Sequence, residues 1–380
     1  MANTLNDIIA EPVANGQLAG VSAAAILPDG EHWQGTAGEV VAGSGTAMTP
    51  DTVVWIASMT KAITGVAVMQ LVEQQKILLD APACDCLPEL RDVQVLEGFD
   101  AEGSPRLRSP ASAPTLRQLL THISGYAYPM WNAKLAQLEK YYQDGGTPLP
   151  TEPLVFDPGT DWAYGTGIDW AGRIVEEVSG QTLGHYLRTH LFDPLGMHST
   201  GFLITEDMRR RLAPVHIRGE DGALTAIDFE IEQNPTHEMG GGGLYGTPSD
   251  YLRFCQCLIN GGELAGNQIL RQETVADIAR NHMKDLTMGE LATSAPDMTN
   301  DLAFYPEVTK NWGLTFMRNE QTTAHGRAPG TLAWAGLANT YFWIDLANRT
   351  AGVWATQLFP FNDPQAIANF HSFESAVSAA

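Results

Sequence analysis

Ser58 and Lys61 are the residues that type and spacing best equip for chemistry: they form the chain's one Ser-x-x-Lys, Ser58-Met59-Thr60-Lys61. Side chains at i and i+3 of a helix lie one above the other, within hydrogen-bonding reach. A lysine in the first turn of an apolar helix loses hydration, which lowers its pKa and lets it take a proton from the serine. The helix N-terminus adds backbone N–H groups and a positive dipole end for a developing oxyanion. The competing reading is structural, with Ser58 as an N-cap and Lys61 reaching out to solvent. On the motif alone the two readings stand level.

Tyr164 follows Pro158-Gly159 and Asp161-Trp162, just ahead of a helical stretch. It reads either as a packing residue or as a phenolate base whose pKa a lysine ammonium lowers. Asp157, Asp161 and Asp169 read as turn and cap residues. Trp334-Ala335-Gly336-Leu337 falls where a late strand would edge a cleft, with Gly336 permitting close approach and Trp334 open to a core role. His122, His237 and His325 fall in loops, and His325 is the alternative base. The four cysteines, Cys84, Cys86, Cys255 and Cys257, lack metal-ligand spacing and read as reduced thiols. No metal or cofactor is expected. The absence of Gly-x-Ser-x-Gly argues against a nucleophile elbow.

These groups need elements to position them. Residues 19–36 read as a hairpin around Pro28-Asp29-Gly30, and residues 58–76 as one helix, buried because its 62–72 part is apolar on nearly every side. Residues 101–114, with three prolines, read as a loop. Helical patterns cover 115–120, 135–142, 167–178 and 251–260. Strands are expected at 312–317, 332–335, 341–345 and 352–356, and a closing helix at 364–379 with Asp363 as its cap. Strands at both ends imply one sheet from the two chain ends. The expected division is an α/β domain from 1–80 and 305–380 and a mostly helical insertion from 81–304, with a cleft between them.

Composition bounds the function. With 380 residues and 44% hydrophobic content, the chain can bury a large core. Its 22 basic against 44 acidic residues give a net charge of -22, which disfavours nucleic-acid and anionic-membrane partners. The start of the chain lacks a basic segment and a sustained apolar run, and residues 62–72 are too short to span a bilayer, so a cytoplasmic protein is expected.

Taken together, the segments resemble the serine β-lactamase (class C) and penicillin-binding-protein superfamily, and within it the family VIII carboxylesterases. The matching stretches are Ser58-Met-Thr-Lys61, Thr115-Leu-Arg-Gln-Leu-Leu-Thr-His-Ile-Ser-Gly125, Asp157-Pro-Gly-Thr-Asp-Trp-Ala-Tyr164, Ile174-Val-Glu-Glu-Val-Ser-Gly180, Pro194-Leu-Gly-Met197, Gly246-Thr-Pro-Ser-Asp250, Trp334-Ala-Gly-Leu337 and Tyr341-Phe-Trp-Ile-Asp345. They follow the family's order along nearly the whole chain. The resemblance implies a β-lactamase-like fold, an antiparallel sheet flanked by helices beside a mostly helical domain. It implies Ser58 as nucleophile, Lys61 as base, and Tyr164 as the tyrosine of Tyr-x-Asn. The N–H groups of Ser58 and Leu337 would form the oxyanion hole. Trp334, Ala335 and Gly336 take the place of the Lys-Thr-Gly strand, and Tyr126, Tyr128 and Trp131 would line the acyl pocket.

Two departures shape the expected function. Thr166 stands where lactamases have asparagine, and Trp334 where they have a cation for the substrate carboxylate. Losing that cation favours uncharged substrates. The expectation is a serine carboxylesterase acting on short-chain, uncharged esters, with monomer and dimer both open. The alternatives are a β-lactamase or D-amino-acid amidase, an acyltransferase to an alcohol, and a non-catalytic binding protein.

Overall fold

The computed structural model describes residues 2–380. Its seven-stranded antiparallel sheet comprises β1 (Gly20–Ile26), β2 (His32–Gly38), β3 (Lys310–Trp312), β4 (Met317–Asn319), β5 (Leu332–Gly336), β6 (Thr340–Asp345) and β7 (Thr350–Ala355). The order across the sheet is β3-β4-β5-β6-β7-β1-β2. The two ends of the chain thus meet where β1 pairs with β7, Ser22 opposite Ala355 and Ile26 opposite Ala351. This is the expected sheet.

β1, β6 and β7 are buried along their whole length. Helices cover both faces, which is why these strands read as apolar runs without alternation. The helices are α1 (Ala2–Ala14), α2 (Thr60–Glu73), α3 (Gly167–Ser179), α4 (Pro248–Ile259) and α5 (Pro364–Ser378). The pleat sends Tyr341 and Trp343 of β6 towards α5, where Phe370 stacks on Tyr341 at 4.5 Å and Phe373 lies 5.8 Å from Trp343. Phe342, between them, points the other way and meets Tyr251 of α4 at 4.9 Å. On β7, Gly352 has to be glycine: a Cβ there would sit 2.0 Å from the Trp343 ring. Asp363 caps α5 by accepting the N–H groups of Gln365 and Ala366, as expected. Among the described residues no helix is long and apolar enough to cross a membrane.

Three local expectations are corrected. The expected strand at 312–317 is a hairpin: β3 ends at Trp312, β4 starts at Met317, and Thr315 between them has φ 73°. β-rich composition hides such a reversal because Thr315 carries no turn signature. The Pro-rich stretch 101–114 contains a strand, Pro105–Arg108, paired with Val95–Phe99. Pro105 is tolerated because it is the first residue of that strand. The helix expected to reach residue 76 ends at Glu73, and Gln75 turns the chain with φ 57°.

α2 is buried from Thr60 to Leu71. Gly65 lets it approach the β3–β4 turn, since a Cβ there would lie 2.1 Å from Thr315 Oγ1. α3 packs on the other side of α2. The N-terminal end of α2 is therefore held between the sheet and the inserted helices.

Candidate active site

Ser58 lies on a short 3-10 turn, Ala57–Met59, that runs directly into α2. Ala57 has φ 46°, a left-handed conformation that costs a non-glycine residue about 1–2 kcal/mol. Its neighbours hold it there. Thr60 Oγ1 donates to the Ala57 carbonyl at 2.6 Å and accepts the Leu244 N–H at 3.1 Å, and Tyr251 Oη donates to the Met59 carbonyl at 2.9 Å. The backbone is thus set by hydrogen bonds from Tyr251 of α4 and from Leu244 ahead of it.

Lys61 is completely buried, one turn above Ser58. Its Nζ donates to Ser58 Oγ at 3.1 Å, Tyr128 Oη at 3.1 Å and the Gly241 carbonyl at 2.6 Å. The solvent-reaching alternative for Lys61 is therefore not what forms. Desolvation brings its pKa from 10.5 down to about 7, against the opposing pull of Asp169. A lysine so poised is half neutral at pH 7 and can accept the serine proton.

Tyr164 is 2% exposed and its ring centre lies 4.8 Å from Lys61 Nζ. Burial pushes its pKa well above the ordinary 10, although Ser58 and Trp334 at its hydroxyl pull the other way. The phenolate alternative for Tyr164 is not what forms. Desolvation outweighs the hydrogen bonds at its hydroxyl, so Tyr164 is a phenol at neutral pH and can give a proton but not take one. Trp334 is corrected. Its Nε1 donates to Tyr164 Oη at 2.8 Å, so the indole orients the phenol from behind and does not line the cavity beside Ser58.

That cavity has a volume of about 240 Å³. Of the expected site residues, Ser58, Tyr128, Trp131 and Leu337 line it, and Lys61, Tyr126, Tyr164, Trp334, Ala335 and Gly336 do not. Tyr126 sits behind the wall, its ring 5.9 Å from Trp170. Gly336 acts through its missing side chain: a Cβ would stand 2.4 Å from the Ile56 carbonyl. Only glycine lets the end of β5, and Leu337 after it, lie against the serine turn. The rest of the wall is Trp55, Met130, Phe229, Ile231, Met239 and Met298, with the backbone of Ala57, Gly241 and Gly242. It is apolar and carries no charged side chain.

Asp169 was read as a cap residue, and the structure gives it a larger part. It sits in the first turn of α3, where its Oδ1 accepts the Gly241 N–H at 2.8 Å and its Oδ2 accepts the Tyr128 hydroxyl at 3.4 Å. It thus fixes both the peptide and the phenol that hold Lys61. The sequence signal, an acid five residues after Tyr164, is indistinguishable from an ordinary helix-start acid.

The histidines do not reach Ser58. His325 contacts Ser375 Oγ and stacks on His371 at 4.1 Å, and His237 pairs with Glu176. His122 packs 4.7 Å from the Tyr164 ring, and burial holds it well below its ordinary pKa, so it is neutral. The four cysteines are free thiols. Among the described residues no group of three or more His, Cys, Asp or Glu side chains could hold a metal.

The chain can now be set beside known proteins. A family model described as Beta-lactamase matches residues 5–376. A lovastatin esterase of Penicillium rubens is 32% identical over 327 residues, covering 81% of this chain and 80% of that protein. A monacolin J acid methylbutanoyltransferase of Aspergillus terreus is 30% identical over 344 residues, covering 87% and 82%. Among solved structures, a mutant of the simvastatin synthase of Aspergillus terreus superposes with a TM-score of 0.85 at 26% identity, covering 99% of this chain and 96% of that one.

Proposed function

The chain belongs to the Beta-lactamase family, and from that premise we propose that it is a serine carboxylesterase of the family VIII kind, cytoplasmic, cleaving short-chain, uncharged esters through an acyl-Ser58 intermediate. One observation carries the reading: a buried lysine with a pKa near 7 stands 3.1 Å from a serine that opens on a charge-free apolar cavity. Ser58 Oγ attacks the ester carbonyl as its proton passes to Lys61 Nζ. The N–H groups of Ser58 and Leu337 receive the oxyanion. Tyr164 gives its proton to the leaving alkoxide and is refilled from the Lys61 ammonium. A water deprotonated by Lys61 then releases the acid and restores Ser58.

The cavity supports small acyl groups. Its volume of about 240 Å³ and its apolar wall suit a short acyl chain. The absence of any charged side chain from the cavity wall supports neutral substrates over β-lactams. The test compares wild type with Ser58→Ala on p-nitrophenyl butyrate and on a chromogenic cephalosporin. Fast ester cleavage, slow cephalosporin turnover and loss of both in the variant are expected. Faster cephalosporin turnover overturns the esterase reading in favour of a β-lactamase, and activity within about tenfold of wild type in Ser58→Ala removes the serine from its role.

Acyl transfer to an alcohol is the second reading, favoured by a methylbutanoyltransferase among the relatives and by the likeness to a simvastatin synthase. It differs only in what attacks the acyl-serine. Product analysis with an added alcohol separates the two, because a transferase yields the new ester in excess over the free acid.

A further inference from the structure

Glu152 is a second carboxylate close to this site. It borders a separate cavity of about 290 Å³ whose walls are mainly apolar, Leu135, Leu138 and Leu149 among them. A carboxylate in such surroundings is costly unless its oxygens are paired. Thr166 Oγ1 donates to them, standing 2.7 and 2.8 Å from the two oxygens, and Trp170 Nε1 donates to Oε2 at 3.3 Å. Desolvation still pushes Glu152 up to about 7, opposed by these bonds and assisted by the charge of Asp169.

The origin of the two donors is informative. Thr166 follows Tyr164 by two residues, and Trp170 follows Asp169 by one. Both therefore belong to the one turn that carries the proton donor and the partner of Lys61. Thr166 also occupies the N-cap position of α3 without making a cap hydrogen bond. A threonine there normally takes an N–H of the first turn, a bond worth about 1 kcal/mol. Here the backbone of Thr166, with φ -77° and ψ 4°, is not the extended one that aims the hydroxyl at the first-turn N–H groups, and the hydroxyl is turned to donate to Glu152.

We propose that Glu152 is a positioning residue of the active site: by clamping Thr166 and Trp170 it fixes the turn that aims Tyr164 and Asp169 at Ser58 and Lys61. It touches neither the substrate cavity nor the nucleophile. The inference rests on the esterase reading above, and the experiment separates the two.

The test measures kcat and KM for ethyl butyrate in wild type, Glu152→Ala, Glu152→Gln, Thr166→Val and the double variant Glu152→Ala/Thr166→Val, with Ser58→Ala as the blank. Glu152→Ala is expected to lower kcat at least about tenfold while KM changes by less than about threefold. Glu152→Gln keeps an oxygen for Trp170 and an amide for Thr166, and should restore kcat to within about threefold of wild type. Thr166→Val should reproduce the alanine loss, and the double variant should be no worse than either single one, because both remove the same clamp. A folded Glu152→Ala with wild-type kcat overturns the inference, as do a glutamine variant as poor as alanine or losses that multiply. If the alanine variant does not fold, Glu152→Gln against Thr166→Val decides, equal kcat values overturning it. Wild type silent on esters brings down the esterase reading and this inference with it, whereas an active wild type and an unaffected Glu152→Ala bring down the inference alone.

Discussion

Replacing Asp169 with asparagine removes one negative charge from beside Lys61 while leaving an oxygen for the Gly241 N–H. Tyr128 Oη stands between the two groups, 3.1 Å from Lys61 Nζ and 3.4 Å from Asp169 Oδ2, so the charges are no more than about 6.5 Å apart. At that separation their attraction is about 2.5 kcal/mol with an effective dielectric of 20, and about 0.6 kcal/mol in bulk water. Since one pKa unit corresponds to about 1.4 kcal/mol, Lys61 in the variant should titrate about 0.5–2 units lower. The sign follows from its role. Lys61 acts as the neutral amine, so kcat/KM rises with pH through its pKa, near 7 in wild type. Losing the neighbouring anion favours the neutral form, and the acid limb moves to lower pH. The plateau falls as well, because a less basic amine pulls the serine proton more weakly. The assay is ethyl butyrate hydrolysis followed by pH-stat between pH 5 and 9, an alkyl ester being chosen so that leaving-group protonation matters. An acid limb that stays put or moves upward in a folded, active Asp169→Asn refutes the assignment of Lys61 as the base tuned by Asp169.

Trp334→Phe keeps the ring but removes the N–H that orients Tyr164. A buried hydrogen bond of about 1–2 kcal/mol predicts a kcat loss of about 5- to 30-fold for alkyl esters. The loss should be smaller for p-nitrophenyl esters, whose leaving group needs no proton, and equal losses on both would place the indole elsewhere in the chemistry. Gly336→Ala forces a methyl against the Ile56 carbonyl and should shift β5 off the serine turn. Activity is expected to fall by more than about 100-fold while Tm drops by only a few degrees, since the rest of β5 stays paired. Full activity would remove Leu337 from the oxyanion site.

What the sequence disclosed was local. Ser58 and Lys61 are three residues apart, so their meeting follows from helix geometry alone, and the burial that tunes Lys61 follows from an apolar helix without a polar face. Tyr164 was distinguishable from a packing tyrosine only through the family resemblance. Its protonation state was not legible because it depends on how deeply the ring is buried, which the sequence does not disclose. Gly241 and Glu152 carry no sequence signal and Asp169 reads only as a turn and cap acid, since each acts through partners 14 to 180 residues away. The cavity wall was equally hidden: Phe229, Ile231 and Met298 come from irregular segments whose spacing carries no period. In the sheet, alternation vanished because both faces are covered, so strand existence was legible and the reversal at Thr315 was not.

The pairing of β1 with β7 has a consequence for biosynthesis. Ile26 and its partner Ala351 are separated by roughly 325 residues, which a ribosome adding about 5–20 residues per second needs about 15–65 s to supply. Through that interval the nascent chain holds out one bare edge of its first hairpin, together with a helix that is apolar all round and has no sheet to rest on. In the finished protein that edge lies inside the sheet, so its capacity to pair wrongly lasts only until β7 arrives.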